Sequence, residues 1–334
     1  MVPSRDWTSG FFPGELWYLY EFRKEQEWLD IATTATLQIE KEKFNAGTHD
    51  MGFKMYCSFG NAYRLTGDAH SREVLLQSAR TLIRRFNPKA GVIRSWDHNR
   101  DKWDYPVIID NMLNLELLFA ATKISGNSAF YHIAVTHANT TMKNHFRPDN
   151  SCYHVVDYDT LTGKVIKKTT HQGYSNESAW SRGQAWAVYG YTMCYRFTHD
   201  PAYLRQAENT AAFMLHHPNM PSDGIPYWDY NAPKIPDEER DASAAAVLAS
   251  ALYELAGYSK KENYKKQADH IIKSLNRDYR AESGKSKGFI LLHSTGSKAA
   301  MSEVDVPLIY ADYYFLEALL RKKSVKNYTS TSWQ

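Results

Sequence analysis

Two kinds of helical stretch alternate along this chain, and few architectures accept that pattern. Residues 14–22, 51–65, 112–124, 185–197, 242–258 and 308–320 are apolar nearly all round. The first five of these stretches are each followed by a short polar break: Arg23-Lys24-Glu25, Thr66-Gly67-Asp68, Ser125-Gly126-Asn127, Thr198-His199-Asp200 and Ser259-Lys260-Lys261. After the breaks apolar residues recur on one face only, as in Leu75, Ala79, Leu82, Ile83 and Phe86, or Tyr264, Ala268, Ile271 and Leu275. A helix apolar all round must be buried, and an amphipathic one covers it. Six of the first kind and five of the second predict an all-α fold of two concentric helical rings, an (α/α)6 barrel lacking its first outer helix. A solenoid of hairpins is the alternative, but buried helices rich in aromatics suit a ring closed around a pocket better. No linker rich in Pro, Gly or Ser interrupts the pattern, so residues 1–334 read as one domain.

The connections entering the buried helices are long, at 87–109, 147–181, 218–239 and 281–304, and long loops in compact domains usually carry function. The second of them contains a β-hairpin signal, with strands over 153–159 and 165–169 around Leu161-Thr162-Gly163. Charge excludes some partners: 40 Lys+Arg against 37 Asp+Glu, spread along the chain, leave no overall footprint for nucleic acid or an anionic membrane. No apolar run approaches about 18 residues, so no membrane span is expected. The first six residues read as neither signal nor transit peptide, and periplasm and cytoplasm both stay open. The unusual figure is 14% aromatic residues, with 9 Trp and 23 Tyr. Such density suggests platforms for flat ligands such as sugar rings, although a rich core would look the same.

Polar residues stand at the starts of five buried helices: Asp6-Trp7-Thr8, His49-Asp50, Asp110, Arg182 with Gln184, and Arg240-Asp241. In a ring these starts converge on one rim. Asp6 and Asp241 have a plainer reading as N-caps, and His49-Asp50 admits it too. Asp110 resists it, because Val107-Ile108-Ile109 before it and Met112-Leu113 after it predict burial, where a carboxylate needs a reason. Asp50 and Asp110 are therefore the candidate pair, since two carboxylates in one pocket drive their pKa values apart and supply an acid beside a base. Paired carboxylates in an aromatic cleft point to glycosidic chemistry, with retaining and inverting geometries both open. A second cluster holds His154, His171, Gln172, Trp180, Arg182 and Trp186, a cage suited to an anionic sugar. Metal and cofactor are not expected, since there is no His-Glu-x-x-His and no Cys pair at ligand spacing.

These strings resemble those of the unsaturated glucuronyl hydrolases, a glycoside hydrolase family with an (α/α)6 barrel. The resemblance lies in DWTSGF (6–11), THDMGF (48–53), IIDNMLNLELL (108–118), SCYHVVDYD (151–159), THQGYSNESAWSRGQAW (170–186), DGIPYWDY (223–230), RDASAAA (240–246) and ADYYFLEALLR (311–321), nearly the whole chain in order. It implies a substrate with a 4,5-unsaturated uronic acid at the non-reducing end, as polysaccharide lyases leave it. It further implies hydration of the C4=C5 enol ether in place of attack at the anomeric carbon. Protonation at C4 gives an oxocarbenium-like cation at C5, water adds there, and the hemiketal opens and expels the aglycone; one carboxyl group can donate that proton and then activate the water.

By the same resemblance Asp110 stands at the general acid/base and Asp50 at its partner carboxylate. Trp7, Phe11, His49, Trp96, His154, Gln172, Trp180, Arg182 and Trp186 match positions lining the sugar subsites. Ser294, Ser297 and Lys298 resemble a group in members that accept sulfate, though a solvated loop is the plainer reading. The family's members usually have a further helix before the Asp-Trp-Thr motif. A conventional two-carboxylate glycosidase, an unsaturated rhamnogalacturonyl hydrolase and an inactive sugar-binding barrel are the competing readings.

Overall fold

The computed structural model describes residues 2–261 and 263–324. Among them α1 (Phe11–Arg23) pairs with α2 (Gln26–Leu37), and the π-helical segment Gly52–Gly60 with α3 (Asn61–Thr66) precedes α4 (Ala69–Ile83). Next come α5 (Asn111–Ser125) with α6 (Ser128–His145), α7 (Ser181–Thr198) with α8 (Pro201–His216), α9 (Ala242–Tyr258) with α10 (Tyr264–Asp278), and α11 (Ile309–Ser324). The alternation read from the sequence is thus reproduced hairpin by hairpin.

Four of the described hairpin bends open in the same way. Lys24, Gly67, Gly126 and His199 close α1, α3, α5 and α7 in the left-handed region, at φ of 58°, 70°, 71° and 56°. At Gly67 and Gly126 the missing Cβ removes the strain of that conformation. Asp68, Asn127 and Asp200 then cap α4, α6 and α8 by accepting from Ser71 N, Ala129 N and Ala202 N. In these three breaks a left-handed C-cap is followed directly by a side-chain N-cap.

Where one domain was expected over 1–334, the described residues pack as two compact units: the chain up to Phe146 with Val155–Lys168, and Arg147–His154 with the chain from Thr169 on. In the first unit α1, the π-helical segment and α5 lie side by side, with α2, α4 and α6 against them. In the second, α9 packs between α7 and α11, and α8 and α10 lie against them. Burial follows this division: Ala242 to Ala246 of α9 are all fully inaccessible, whereas α2 buries only Ala32 and Thr36.

The apolar helices of each unit are tied at their C-terminal ends by ions. In the first, Arg64 donates to both oxygens of Glu21, at 2.9 and 2.5 Å. In the second, Arg196 grips Glu254 at 2.7 and 2.8 Å, and Arg321 adds a third contact at 3.1 Å.

The expected hairpin forms β4 (Val155–Tyr158) and β5 (Val165–Thr169), with a third strand that the sequence reading missed. β3 (Pro106–Ile108) pairs antiparallel with β4, Ile108 opposite Val155. Upstream, β1 (Phe86–Asn87) pairs with β2 (Val92–Ile93). Helix α6 fastens both sheets through buried imidazoles: Ile93 N–H donates to His137 Nδ1 at 3.0 Å, and His145 Nε2 meets the Val107 carbonyl at 3.2 Å. The chain thus enters α5 from a pinned strand. No described helix is long and apolar enough to cross a membrane.

Candidate active site

In the first unit candidate residues gather where β3 runs into α5. Asp110 occupies the N-cap position of α5 yet makes no side-chain bond to its first-turn amides, and it is 7% exposed. The next residue, Asn111, donates to the Ile93 carbonyl at 2.7 Å and lies close enough to His49 to act on its electrostatics. His49 Nε2 lies 3.1 Å from Asp50 Oδ1, while Asp50 Oδ2 accepts from Thr48 Oγ1 at 2.5 Å. Burial pulls the His49 pKa down and Asp50 opposes it; the net shift is downward, so the ring is neutral near pH 7. His49 thus stands between Asp50 and Asn111, the residue beside Asp110.

The π-helical turns explain how Asp50 comes to be there. A Cβ on Gly52 would sit 2.5 Å from Asn114 Cα, so only glycine lets this backbone lie against α5. Asn114 Oδ1 then accepts from Phe53 N–H at 3.0 Å, satisfying a donor freed by the wide helical turns. Underneath, Lys54 is fully buried and pairs with Glu42 at 3.2 Å. Burial pushes Glu42 up, but Asn45, Ser4 and Lys54 outweigh it and hold its carboxyl below the usual range.

Trp7 is half-buried and meets Phe11 and Phe53 edge-on at 5.8 and 5.5 Å. Phe11 itself is inaccessible, so it backs Trp7 rather than presenting a face. Asp6 does not cap α1: it accepts from Thr8 N and Oγ1 at 2.9 and 2.7 Å, and Gly10 takes the N-cap position. Trp96 stacks on His98 at 5.7 Å and meets Trp103 edge-on.

In the second unit two of the cage residues, Arg182 and Gln172, converge on one loop. Arg182 is 1% exposed; it pairs with Asp241 at 2.8 Å and donates to the carbonyls of Thr295 and Gly296 at 2.6 and 2.5 Å. Gln172 Nε2 donates to the same Gly296 carbonyl at 2.8 Å. Both side chains thus hold residues 295–296. Asp241 does cap α9, accepting from Ser243 N and Ala244 N at 3.0 and 3.3 Å, as its plainer reading held.

His154 Nδ1 accepts from the backbone N–H groups of His171 and Gln172, at 3.2 and 3.1 Å, which fixes its proton on Nε2. Its ring lies 4.4 Å from Trp180, and the Arg182 guanidinium covers Trp180 at 4.6 Å. Trp186 is wholly buried against Tyr314. Ser294 is inaccessible, and Ser297 pairs its backbone with Ser302. Lys298 is held by Glu238 at 2.6 Å and also by Glu239, so it brings no net positive charge to an anionic group there.

Sequence reasoning missed Asn111, Asn114 and Phe53, whose only signal was adjacency to Asp110 and to the Gly-Phe step. It also missed Asp229, which accepts from Tyr174 N, Ser178 Oγ and Asn231 N at 2.9, 2.7 and 2.9 Å and so shapes the 173–178 loop. Burial raises the Asp229 pKa against those bonds. Among the described residues, no group of three or more His, Cys, Asp or Glu gathers as a metal would need.

No protein-family model matches the chain. It is 52% identical over 326 residues to an unsaturated glucuronyl hydrolase of Formosa agariphila, covering 97% of this chain and 82% of that protein. The crystal structure of an unsaturated glucuronyl hydrolase specific for heparin is 50% identical with a TM-score of 0.95, over 98% of this chain and 88% of that one. A variant unsaturated glucuronyl hydrolase from Streptococcus agalactiae, solved in complex with dGlcA-GalNAc6S, is 30% identical with a TM-score of 0.82, over 97% and 82%. The fold is the α/α barrel of these structures, the class that the helix alternation predicted.

Proposed function

We infer that this chain, which belongs to the unsaturated glucuronyl hydrolase family, removes the 4,5-unsaturated uronic acid from the non-reducing end of lyase-generated oligosaccharides. It is a glycoside hydrolase acting on glycosaminoglycan-type fragments by hydration of the enol ether. Asp110 delivers a proton to C4, and the resulting cation at C5 is shared with the ring oxygen. The Asp110 carboxylate then takes a proton from the water that adds at C5. The hemiketal opens, the aglycone leaves, and no covalent enzyme intermediate forms. Asp50 orients the uronate and tunes Asp110, and neutral His49 holds Asp50 without competing as an acid.

The observation that carries this reading is the position of Asp110: a buried carboxyl at a helix start that does not cap the helix. A carboxylate kept from water needs a task other than stability. For the first unit the reading assigns Trp7, backed by Phe11, and Trp96 to sugar faces. For the second it assigns stacking to Trp180 with His154, support to Trp186, and positioning of the 294–298 loop to Arg182 and Gln172. On this reading residues 1–334 act as one catalytic domain.

The test is a panel of unsaturated disaccharides from chondroitin, heparin, hyaluronan and ulvan, followed by loss of the ultraviolet absorbance of the conjugated enol ether. Turnover in heavy water should leave deuterium at C4; product without it would mean conventional glycoside hydrolysis. Asp110→Asn should lower kcat by about a thousandfold or more with the fold intact. Persistent absorbance across the whole panel would overturn the assignment.

A further inference from the structure

The first unit contains a cavity of about 620 Å³ formed by the C-terminal end of α4 and the loop that follows it. Its charge is one-sided. Arg84, Arg85, Lys89, Arg94 and Arg100 line it against a single carboxylate, Asp97, an excess of four positive charges (five less one). None of the candidate catalytic or sugar-binding residues is among its lining residues.

Arg85 is the built part of this cavity. Its side chain is 5% exposed. Nε donates to the Arg94 carbonyl at 2.8 Å, and Nη1 donates to the Ala46 carbonyl and to Asp97 at 2.5 and 2.6 Å. Nη2 is buried with no hydrogen-bond partner, a donor whose desolvation nothing in the protein offsets. Asp97 is also shared, since Arg94 Nε approaches it at 3.3 Å and Arg100 Nε donates to its carbonyl at 3.3 Å. One carboxylate cannot neutralise three guanidiniums, and Arg84 and Lys89 add exposed charge at the rim.

We propose that this cavity is a second, non-catalytic site that holds a sulfated saccharide, its anionic groups received by the Arg85, Arg94 and Arg100 guanidiniums. Planar guanidiniums suit sulfate and carboxylate oxygens, which they can receive in pairs. The volume is that of a ligand of several rings, well beyond a lone ion. The Tyr105 ring, also in the lining, is covered by Arg94 at 5.3 Å, which takes from the cavity one face on which a nucleic-acid base would stack. The choice of a saccharide rests on the substrate class proposed above; the excess of cations does not.

The test is calorimetric binding to the full chain of a heparin-derived tetrasaccharide saturated at its non-reducing end, which therefore cannot be turned over. Its desulfated counterpart, inorganic sulfate and inorganic phosphate form the other arms. The sulfated tetrasaccharide should bind, the desulfated one should not, and the inorganic ions should bind far more weakly. The triple variant Arg84→Gln, Lys89→Gln, Arg100→Gln removes only exposed charges; it should weaken binding by about tenfold to a hundredfold and leave hydrolysis of unsaturated disaccharides unchanged. Asp110→Asn should leave this binding intact. Equal affinity in the triple variant, loss of binding in Asp110→Asn, or inorganic ions binding as tightly as the tetrasaccharide would each overturn the proposal. Because no arm reads turnover of the probe, failure here is distinct from failure of the hydrolase assignment.

Discussion

Arg182 and Asp241 form an ion pair at 2.8 Å in which neither side chain reaches solvent. The pair joins the first turn of α7 to the cap of α9, and the same guanidinium carries the carbonyls of residues 295 and 296. A lysine would keep the charge but lose the fork that makes three contacts at once. Arg182→Lys should therefore destabilise the fold by about 2–4 kcal/mol and lower kcat/KM, because the 294–298 loop loses its anchor. Calorimetry and steady-state kinetics read the two effects, and an unchanged Tm would sink the argument.

Gly52→Ala tests the contact that places Asp50. The new Cβ would meet Asn114 Cα at 2.5 Å, a backbone atom that cannot swing aside. The π-helical turns must move off α5, and the Phe53 to Asn114 bond lengthens or breaks. A stability loss of about 2 kcal/mol is expected, with a fall in kcat larger than any change in KM. A variant with wild-type kcat would show that Asp50 does not depend on this contact.

Acid should weaken the first unit through α6. Burial lowers His137 to about 3 and His145 to about 4, against about 6.5 in an unfolded chain. Between those values the unfolded chain binds more protons than the folded one. The stabilisation is therefore complete above the unfolded value and is lost as pH falls toward the folded values, by up to about 1.4 kcal/mol per pH unit for each ring. His137→Asn, whose side-chain oxygen can still accept from Ile93 N–H, should flatten this slope in denaturant midpoints measured from pH 7 to pH 5. A slope as steep as in the parent would refute the assignment.

The C-terminal ends of the second unit's apolar helices supply another test. Burial pushes Glu254 up, yet Arg196 and Arg321 outweigh it and hold its pKa at about 2. Glu254→Gln leaves the buried Arg196 guanidinium without its counter-charge and Arg321 with Glu317 alone at 3.5 Å, and should cost about 3 kcal/mol. Thermal unfolding measures this, while activity at temperatures where the variant is folded should stay near that of the parent.

Much of this was legible because helices announce themselves locally. The polar breaks carry their own C-caps and N-caps, so Thr66-Gly67-Asp68 and Ser125-Gly126-Asn127 could be read without any tertiary knowledge. Asp110 could be read too, since a carboxylate among Val107, Ile108, Ile109 and Met112 conflicts with burial unless it has a task. What stayed hidden depends on contacts distant in sequence. β3 pairs with a strand nearly fifty residues later, and three residues between a loop and a helix give no period to detect. The π-helical turns arise from one close approach of Gly52 to Asn114. A sequence shows the charge of Arg182 but not Asp241 already beside it.

The ion clusters at the C-terminal ends of the apolar helices have a consequence for how such a protein can change. Glu21 with Arg64, and Glu254 with Arg196 and Arg321, secure the helices at the ends opposite those that carry Asp110 and Arg182. Part of each unit's cohesion is thus supplied away from the candidate site residues. Within each unit the loops at the other end can be lengthened, recharged or exchanged while its helices stay in register, and separate libraries in residues 87–105 of the first unit and 281–304 of the second would exploit that independence.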